Sequence, residues 1–390
     1  MANDKKSVNK KNNNKNSSKK KAVNGKYNFS KIALIVFLVI CALTIGVGML
    51  FKSPIEKLLN GQTDAQTNQN AVIDDNGLSI HFVDVGQGDC IAIKFPDGKT
   101  MLIDAGPADG ITKMINYLNN KFFGTDDKVF DYLLLTHSDA DHCGGMVKIC
   151  QEYQINKIYR PMVYYNYNSE MEYNTQSSPK YCTTAVYYRT IKAFIAETTD
   201  IVETNLTNCN GTEKIQGEGY YFDFYSPRHF TTSVSMNDFS PIMVLNYNSK
   251  KLMFTGDATS SGTENEIIDE MPEVDLLKVG HHGSRYSTSE NFLEKINPSI
   301  AVIQCGAGNK YGHPHSETMT RLNNLGTKVY RNDQNGNIIA NVTSQNAQIN
   351  IFVDSNSVTY VVRVEYIICG VILISAYFCF GIKPKKTNKK

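Results

Sequence analysis

None of the nine cysteines falls in a zinc-ribbon spacing, which excludes a small zinc module held by thiolates. Cys41, Cys369 and Cys379 lie in long apolar runs, most of the others in strand or helix patterns, where they read as small core residues; a Cys182–Cys209 pairing stays open. Residues 77–354 contain no repeat and no low-complexity break, so a solenoid is excluded and one domain of about 280 residues is expected. Residues 1–31 almost lack apolar side chains and hold ten lysines against one aspartate. Such a segment cannot bury enough surface to offset its ordering entropy, and it reads as a disordered basic tail.

Residues 32–51 contain no charge, and 20 such residues match the length of a membrane-crossing helix. A second apolar run, residues 362–382, carries Glu365 near its start and reads as a second span, or else as a buried C-terminal helix. Lysine-rich flanks stay on the cytoplasmic side, so residues 1–31 and 383–390 are expected inside and everything between the spans outside, in the cell membrane. Residues 52–76 form the linker. The two tails carry +9 and +5 in a chain whose formal charge is +2, so the intervening segment carries −12. Beside anionic lipid the basic tails read as topology signals, not as nucleic-acid binders.

The middle segment opens with alternating strand patterns at 78–85, 90–95 and 100–105, with Pro96-Asp97-Gly98 as a hairpin turn. Helical patterns at 110–121, 145–153 and 183–196 then alternate with strand-type runs such as 156–160. Later strands are expected at 220–225, 242–247, 251–255, 275–279, 300–304, 328–330 and 338–342. Residues 161–182, rich in tyrosine, read as a surface insertion whose rings could stack on bases or sugars or simply pack.

Residues 136–145 read Thr-His-Ser-Asp-Ala-Asp-His-Cys-Gly-Gly, between a strand pattern and a helical one. On such a loop alternate residues turn to opposite sides, so His137 with Asp139 can serve one ion and Asp141 with His142 another. A mixed imidazole and carboxylate set points to a catalytic metal of the zinc or manganese type. Asp257, His281-His282 and Asp104 also stand at strand C-termini, and a later loop carries His313 and His315. Six of the eight histidines fall in these segments, a concentration that satisfied core histidines do not explain.

The set Thr136-His-x-Asp-x-Asp-His-x-Gly-Gly, Gly256-Asp257 and His281-His-Gly-Ser resembles the metallo-β-lactamase superfamily. Phe82-Val-Asp-Val-Gly-Gln-Gly-Asp, Leu102-Ile-Asp-Ala-Gly, Asn237-x-x-Ser240, Tyr311-Gly-His-Pro and Tyr330-Arg-Asn-Asp-Gln-Asn-Gly narrow it. These look like the extracellular metallo-β-lactamase-like domain of the ComEC competence proteins, over residues 77–345 and without their many-span channel. The resemblance implies a four-layered αβ/βα sandwich, flanked here by two transmembrane helices, with one or two divalent ions, Zn or Mn, at the edge between its sheets. It implies His137 and Asp139 on the first ion, Asp141, His142 and His281 on the second, and Asp257 bridging. Asp104, Asn237 and Ser240 would support these ligands, and His282 would be left for substrate or proton transfer. Asp139 stands where a histidine is usual, and no clear third imidazole for the first ion lies between His142 and Asp257.

The expected chemistry is hydrolysis by metal-activated water, with Asp141 and His282 as catalytic groups and no side-chain nucleophile. A phosphodiester is the expected substrate, extracellular single-stranded DNA first, although a segment of −12 repels polyanions at long range. Lys278, Ser284, Arg285, Lys310, His313 and Arg331 are the candidates for holding it. Alternatives are an envelope phosphodiesterase acting on teichoic-acid-like or choline-phosphate groups, and a noncatalytic membrane-anchored binding module. Asp139 argues against β-lactam cleavage.

Overall fold

The computed structural model describes residues 72–353, apart from 176–178, 199, 227 and 229–233, together with 37, 39 and 41. The basic tails, the linker up to residue 71 and both expected spans, except for those three helical residues, lie outside the described residues. Among the described residues no helix is long and apolar enough to cross a membrane.

Two large sheets dominate the unit Thr63–Tyr360. The first runs in the order Ile349–Val353, Ile338–Val342, Leu78–Phe82, Ile91–Lys94, Thr100–Ile103, Val129–Leu134, Gln154–Arg160 and Ile201–Glu203. The second runs Gln216–Gly217, Tyr220–Tyr225, Ile242–Tyr247, Lys250–Phe254, Leu276–Lys278, Ile300–Ile303 and Lys328–Arg331. Each is antiparallel in its early strands and parallel in its last four, as strand-helix-strand connections require.

Alternation explains the layering. In the first sheet Ile91, Ile93, Met101 and Ile103 face one way, into a core shared with Phe222, Phe224, Leu252 and Phe254 of the second sheet. Ala92 and Leu102 face the other way, into a core completed by the helices Ile111–Tyr117, Met146–Glu152 and Ala185–Glu197. The outer face of the second sheet, with Val244, Met253 and Leu277, is covered by the helices Glu290–Ile296 and Ser316–Asn324. The result is the expected four-layered sandwich. Strands covered on both faces read as near-continuous apolar runs, and these did.

The tyrosine-rich insertion forms a three-stranded sheet, Val163–Tyr167, Glu170–Met171 and Lys180–Cys182. Tyr164 and Tyr165 are buried in it, whereas Tyr173 is 88% exposed. Cys182 and Cys209 are both buried, and every cysteine among the described residues is free.

His81 is an uncharged member of the core. It lies 3.0 Å from Ser79 Oγ and 2.8 Å from Tyr117 Oη, and burial, helped by Lys94, pushes its pKa down to about 3. The unfolded chain takes up a proton near pH 6.5 while the folded one resists until about 3, so stability is present above pH 6.5 and falls as pH drops below it. His81→Gln is expected to flatten that fall by up to about 1.4 kcal/mol per pH unit, measured by urea unfolding between pH 6.5 and 4. An unchanged slope would refute this role.

Candidate metal centre

Strand ends position the candidate side chains. After the strand Val129–Leu134 come Thr136 and His137, and the single helical turn Ala140–Cys143 carries Asp141 and His142. Asp139 is the N-cap of that turn, its carbonyl accepting from His142 N at 3.0 Å. The neighbouring parallel strand Thr100–Ile103 ends at Asp104, whose φ of 57° turns its carboxylate into the loop. It accepts from Thr136 N at 2.8 Å, Thr136 Oγ1 at 2.7 Å and His142 Nδ1 at 2.7 Å. An imidazole held through Nδ1 presents Nε2 to an ion, as metal-ligating histidines commonly do. Gly145 permits the close approach, since a Cβ there would sit 2.2 Å from Ala105 O.

The hydrogen bonds also fix His137. Thr136 Oγ1 gives its proton to Asp104, so towards His137 Nδ1, 3.0 Å away, it can only accept. Nδ1 therefore carries the ring proton and Nε2 a lone pair. Ser240 Oγ, 3.2 Å from the same Nδ1, accepts from Asp257 N at 3.1 Å and ties that carboxylate to the same corner. His137 Nε2 is buried with no hydrogen-bond partner.

From the second sheet, Asp257 follows the strand Lys250–Phe254, and the two histidines follow Leu276–Lys278 on the turn Gly280–Gly283. His281 (φ 49°, ψ 49°) and His282 (φ 54°, ψ 23°) are both left-handed, a pairing that costs roughly 1–3 kcal/mol per residue and is typical of functional sites. It sends the two rings apart, with centroids 6.0 Å from each other and planes at 71°. His282 is buried, its Nε2 lying 3.3 Å from His142 Nε2, 3.3 Å from Asp141 Oδ2 and 3.5 Å from Asp257 Oδ2. His281 stands at the rim, 25% exposed, with Nε2 3.6 Å from Asp257 Oδ2 and Nδ1 3.4 Å from Asn237 Nδ2. Of the two, His282 and not the preferred His281 is the ring that lies against Asp141 and His142. Backbone handedness decides which ring turns inward, and spacing does not reveal it.

Asp89, whose role sequence reasoning missed, supports His282. Its Oδ1 lies 3.2 Å from His282 Nδ1, which also donates to Gln304 O at 2.9 Å. The Gln304 side chain donates in turn to Val83 O at 3.2 Å and Cys90 O at 2.9 Å, across to the first sheet. Asp89 Oδ2 is 2.5 Å from Lys278 Nζ, and neither residue reaches solvent. Lys278 showed only as a charge in an apolar strand pattern, and Asp89 only as the last residue of Phe82-Val-Asp-Val-Gly-Gln-Gly-Asp.

Charge balance here is severe. Burial favours a neutral Asp257 carboxyl, yet the His142 and His282 imidazoles hold its pKa well below the carboxylate range. Burial likewise disfavours imidazolium, but Asp257 and Asp104 hold His142 well above its ordinary value, and Asp257 and Asp89 raise His282 to about 10. His137, dominated by burial and then by the neighbouring His142, falls to about 3. Protons on His142 and His282 supply positive charge that a divalent ion would supply instead, with both rings neutral. Asp89, His142, Asp257 and His282 each bring one ligand atom within 4.8 Å of the others. Asp257 Oδ1 and His137 Nε2 have no hydrogen-bond partner, so the donor set fits a metal.

A model of the Metallo-beta-lactamase superfamily matches residues 83–207. The chain carries a metallo-β-lactamase superfamily domain. It is 27% identical to ComE operon protein 3 of Bacillus subtilis over 66% of this chain and 32% of that protein. Recombination protein 2 of Haemophilus influenzae is 26% identical over 68% of this chain and 29% of its own length. These ComEC-like alignments therefore span about a third of each relative. Among solved structures, a point mutant of CmlA β-hydroxylase aligns over 75% of this chain and 62% of its own at 12% identity and a TM-score of 0.41.

Of the residues expected to hold substrate, several are otherwise engaged in this metallo-β-lactamase domain. Lys278 is sealed against Asp89, and Ser284 is 2% exposed. Arg331 forks onto Asp333 at 2.9 and 2.6 Å, and Arg285 pairs with Glu317 at 2.6 Å. Lys310 remains, lining a cavity of about 520 Å³ with Gln87, Lys113, Asp141 and Tyr311. His313 is half-buried between Tyr311 and the paired histidines, its centroid 5.6 Å from Tyr311 and 5.5 Å from His281.

Lys278→Met would take its lysine partner from the buried Asp89 carboxylate, and is expected to cost about 3–5 kcal/mol in urea unfolding. Adding Asp89→Asn should recover part of that loss; a single variant as stable as the parent would show that the pair is not needed.

Proposed function

We propose that the protein is a membrane-anchored, metal-dependent phosphodiesterase that cleaves DNA outside the cell, held by spans at 32–51 and 362–382 with both termini inside. The observation that carries the hydrolytic part is the convergence of His137, His142, His281 and His282 on the Asp257 carboxylate, with Asp139 against His137 and Asp141 against His282, beside a cavity that Asp141 shares with Lys310. His137, Asp139, Asp141, His142, Asp257 and the histidine pair would hold one or two ions, of which zinc and manganese suit this mixture best. When bound, such ions lower the pKa of water and stabilise developing negative charge.

The chain's own groups do the rest. Asp104 and Asp89 orient His142 and His282, and Ser240 orients His137. Asp141 is partly exposed, its Oδ2 within 3.3 Å of His282 Nε2, so it can take a proton from an entering water while remaining aligned. Lys310, which lies over the Tyr311 ring, and Lys113, which is paired with Asp84, supply positive charge to a phosphate in the cavity. Relatives named for competence and recombination support a nucleic-acid substrate.

The acidic middle segment, with only Lys113 and Lys310 as cations lining the cavity, favours a second reading, a smaller envelope phosphodiester that needs only the cavity. Asp257→Ala and His142→Ala in the full-length protein should each lower turnover roughly a thousandfold or more, as should chelation reversed by added metal. Circular dichroism checks that the fold persists, and turnover unchanged in both variants would sink metal-assisted hydrolysis. Assaying single-stranded DNA beside a small chromogenic diester separates the readings, since cleavage of the diester alone supports the second.

A further inference from the structure

We infer that Glu264, which the hydrolytic reading leaves unused, is a positioning residue for the turn that carries His281 and His282, and that it acts through Thr288. The metal-dependent reading above says what the turn is for, and the inference rests on it only there.

Glu264 lies in the short helix Thr263–Ile267 and is fully buried. Its two carboxylate oxygens accept from separate backbone donors, Oε1 from Thr288 N and Oε2 from Ser289 N at 3.1 Å. Thr288 is buried and left-handed, with a φ of 56°. A β-branched residue is strained in that conformation and persists there only when its surroundings hold it. Its Oγ1 accepts from Gly280 N at 3.0 Å, the first N–H of the turn Gly280–Gly283. The line from the carboxylate to the histidines therefore runs from Glu264 through Thr288 and Gly280.

Arg321, on the helix Ser316–Asn324, takes the carbonyls of the same segment. Its guanidinium donates to Arg285 O at 3.3 Å, Ser287 O at 3.3 Å and Thr288 O at 3.2 Å. Backbone N–H groups go to a carboxylate and carbonyls to a guanidinium, as a buried segment without regular pairing requires. The packing leaves little slack, since a Cβ at Gly280 would sit 3.1 Å from Ser287 Cβ and 3.2 Å from Thr288 Oγ1. Burial pushes the Glu264 carboxyl up to about 7, against the pull of the Thr288 and Ser289 N–H groups and of Arg321. Burial alone would favour an apolar side chain here; what the carboxylate adds is an acceptor for each of two N–H groups.

The far ends of the two loops are tied as well. His281 N donates to Gly256 O at 3.0 Å, and the Asp238 carboxylate accepts from Thr259 N at 2.9 Å and Thr263 N at 3.3 Å. Asp238 adjoins Asn237, whose amide faces His281 Nδ1 at 3.4 Å. Residues 256–264 and 280–289 thus form one hydrogen-bonded frame around the histidine pair, and Glu264 closes it.

The experiment reads the rings and the metal separately. Full-length protein carrying isotope-labelled histidine is stripped of metal and its imidazole signals are followed by NMR; zinc affinity is then measured by competition with a chelator. Glu264→Gln offers one acceptor and turns an NH2 group towards the other N–H, and Thr288→Val removes the hydroxyl that accepts from Gly280. Both are expected to shift the His281 and His282 signals, to leave that of His81 in place, and to weaken zinc binding roughly ten- to a hundredfold. Thr288→Ser keeps the hydroxyl and should retain the parent's signals and affinity. Thr184→Ala removes the N-cap of the helix Ala185–Glu197, lowering stability without touching the turn, and should leave both readouts unchanged.

Unmoved His281 and His282 signals in both Glu264→Gln and Thr288→Val, or the same shifts in Thr184→Ala, would overturn the inference. Should Glu264→Gln fail to fold, the contrast between Thr288→Val and Thr288→Ser decides it. A parent that binds no zinc would sink the metal-dependent reading, while the metal-free spectra would still decide the role of Glu264.

Discussion

A buried carboxylate cannot stay charged without partners, and the Asp257 carboxylate is where this constraint is met. It is 2% exposed and surrounded by imidazoles from both sheets: His137 and His142 from the first, His281 and His282 from the second. Each imidazole needs a polar neighbour of its own, which explains Asp104 beneath His142, Ser240 beneath His137 and Asp89 beneath His282. Asp89 needs Lys278. The polar residues at this edge of the sandwich form successive answers to one electrostatic demand.

The same constraint explains the backbone. Carboxylates and imidazoles converge only if the chain turns sharply at the strand ends, so Asp104, Gly256, His281, His282 and Gly283 all take positive φ there. These are strained positions for residues with side chains, and they cluster where a bound cation would reward them. The apolar layers hold the two strand edges in register, with Phe95 stacked on Tyr220 at 4.2 Å as one tie between the sheets.

Much of this was legible in the sequence. The run from His137 to His142 lies between a strand pattern and a helical one, and Asp104, Asp257 and the histidine pair each follow an apolar run that ends in a glycine-containing loop. Strands such as Ile242–Tyr247 fell where their patterns placed them, because burial on both faces leaves few polar interruptions. What stayed hidden depends on partners distant along the chain. Asp89 and Lys278 are 189 positions apart, and nothing in the sequence shows that they pair. Lys278 and Arg331 looked like free cations because a sequence does not show that a carboxylate lies against each of them. Which of His281 and His282 turns towards His142 was not legible either, because the left-handed backbone of both residues sets the direction of each ring.

Gln304 gives the two halves of the sandwich a shared dependence. Its side chain holds Val83 and Cys90 of one sheet, while its own carbonyl holds His282 on the other. A slip of one sheet along the other would be transmitted directly to an imidazole at the centre. The halves are therefore not interchangeable parts: a chimera pairing either one with its counterpart from a distant relative could keep every core layer packed and still misalign the ring that Gln304 carries.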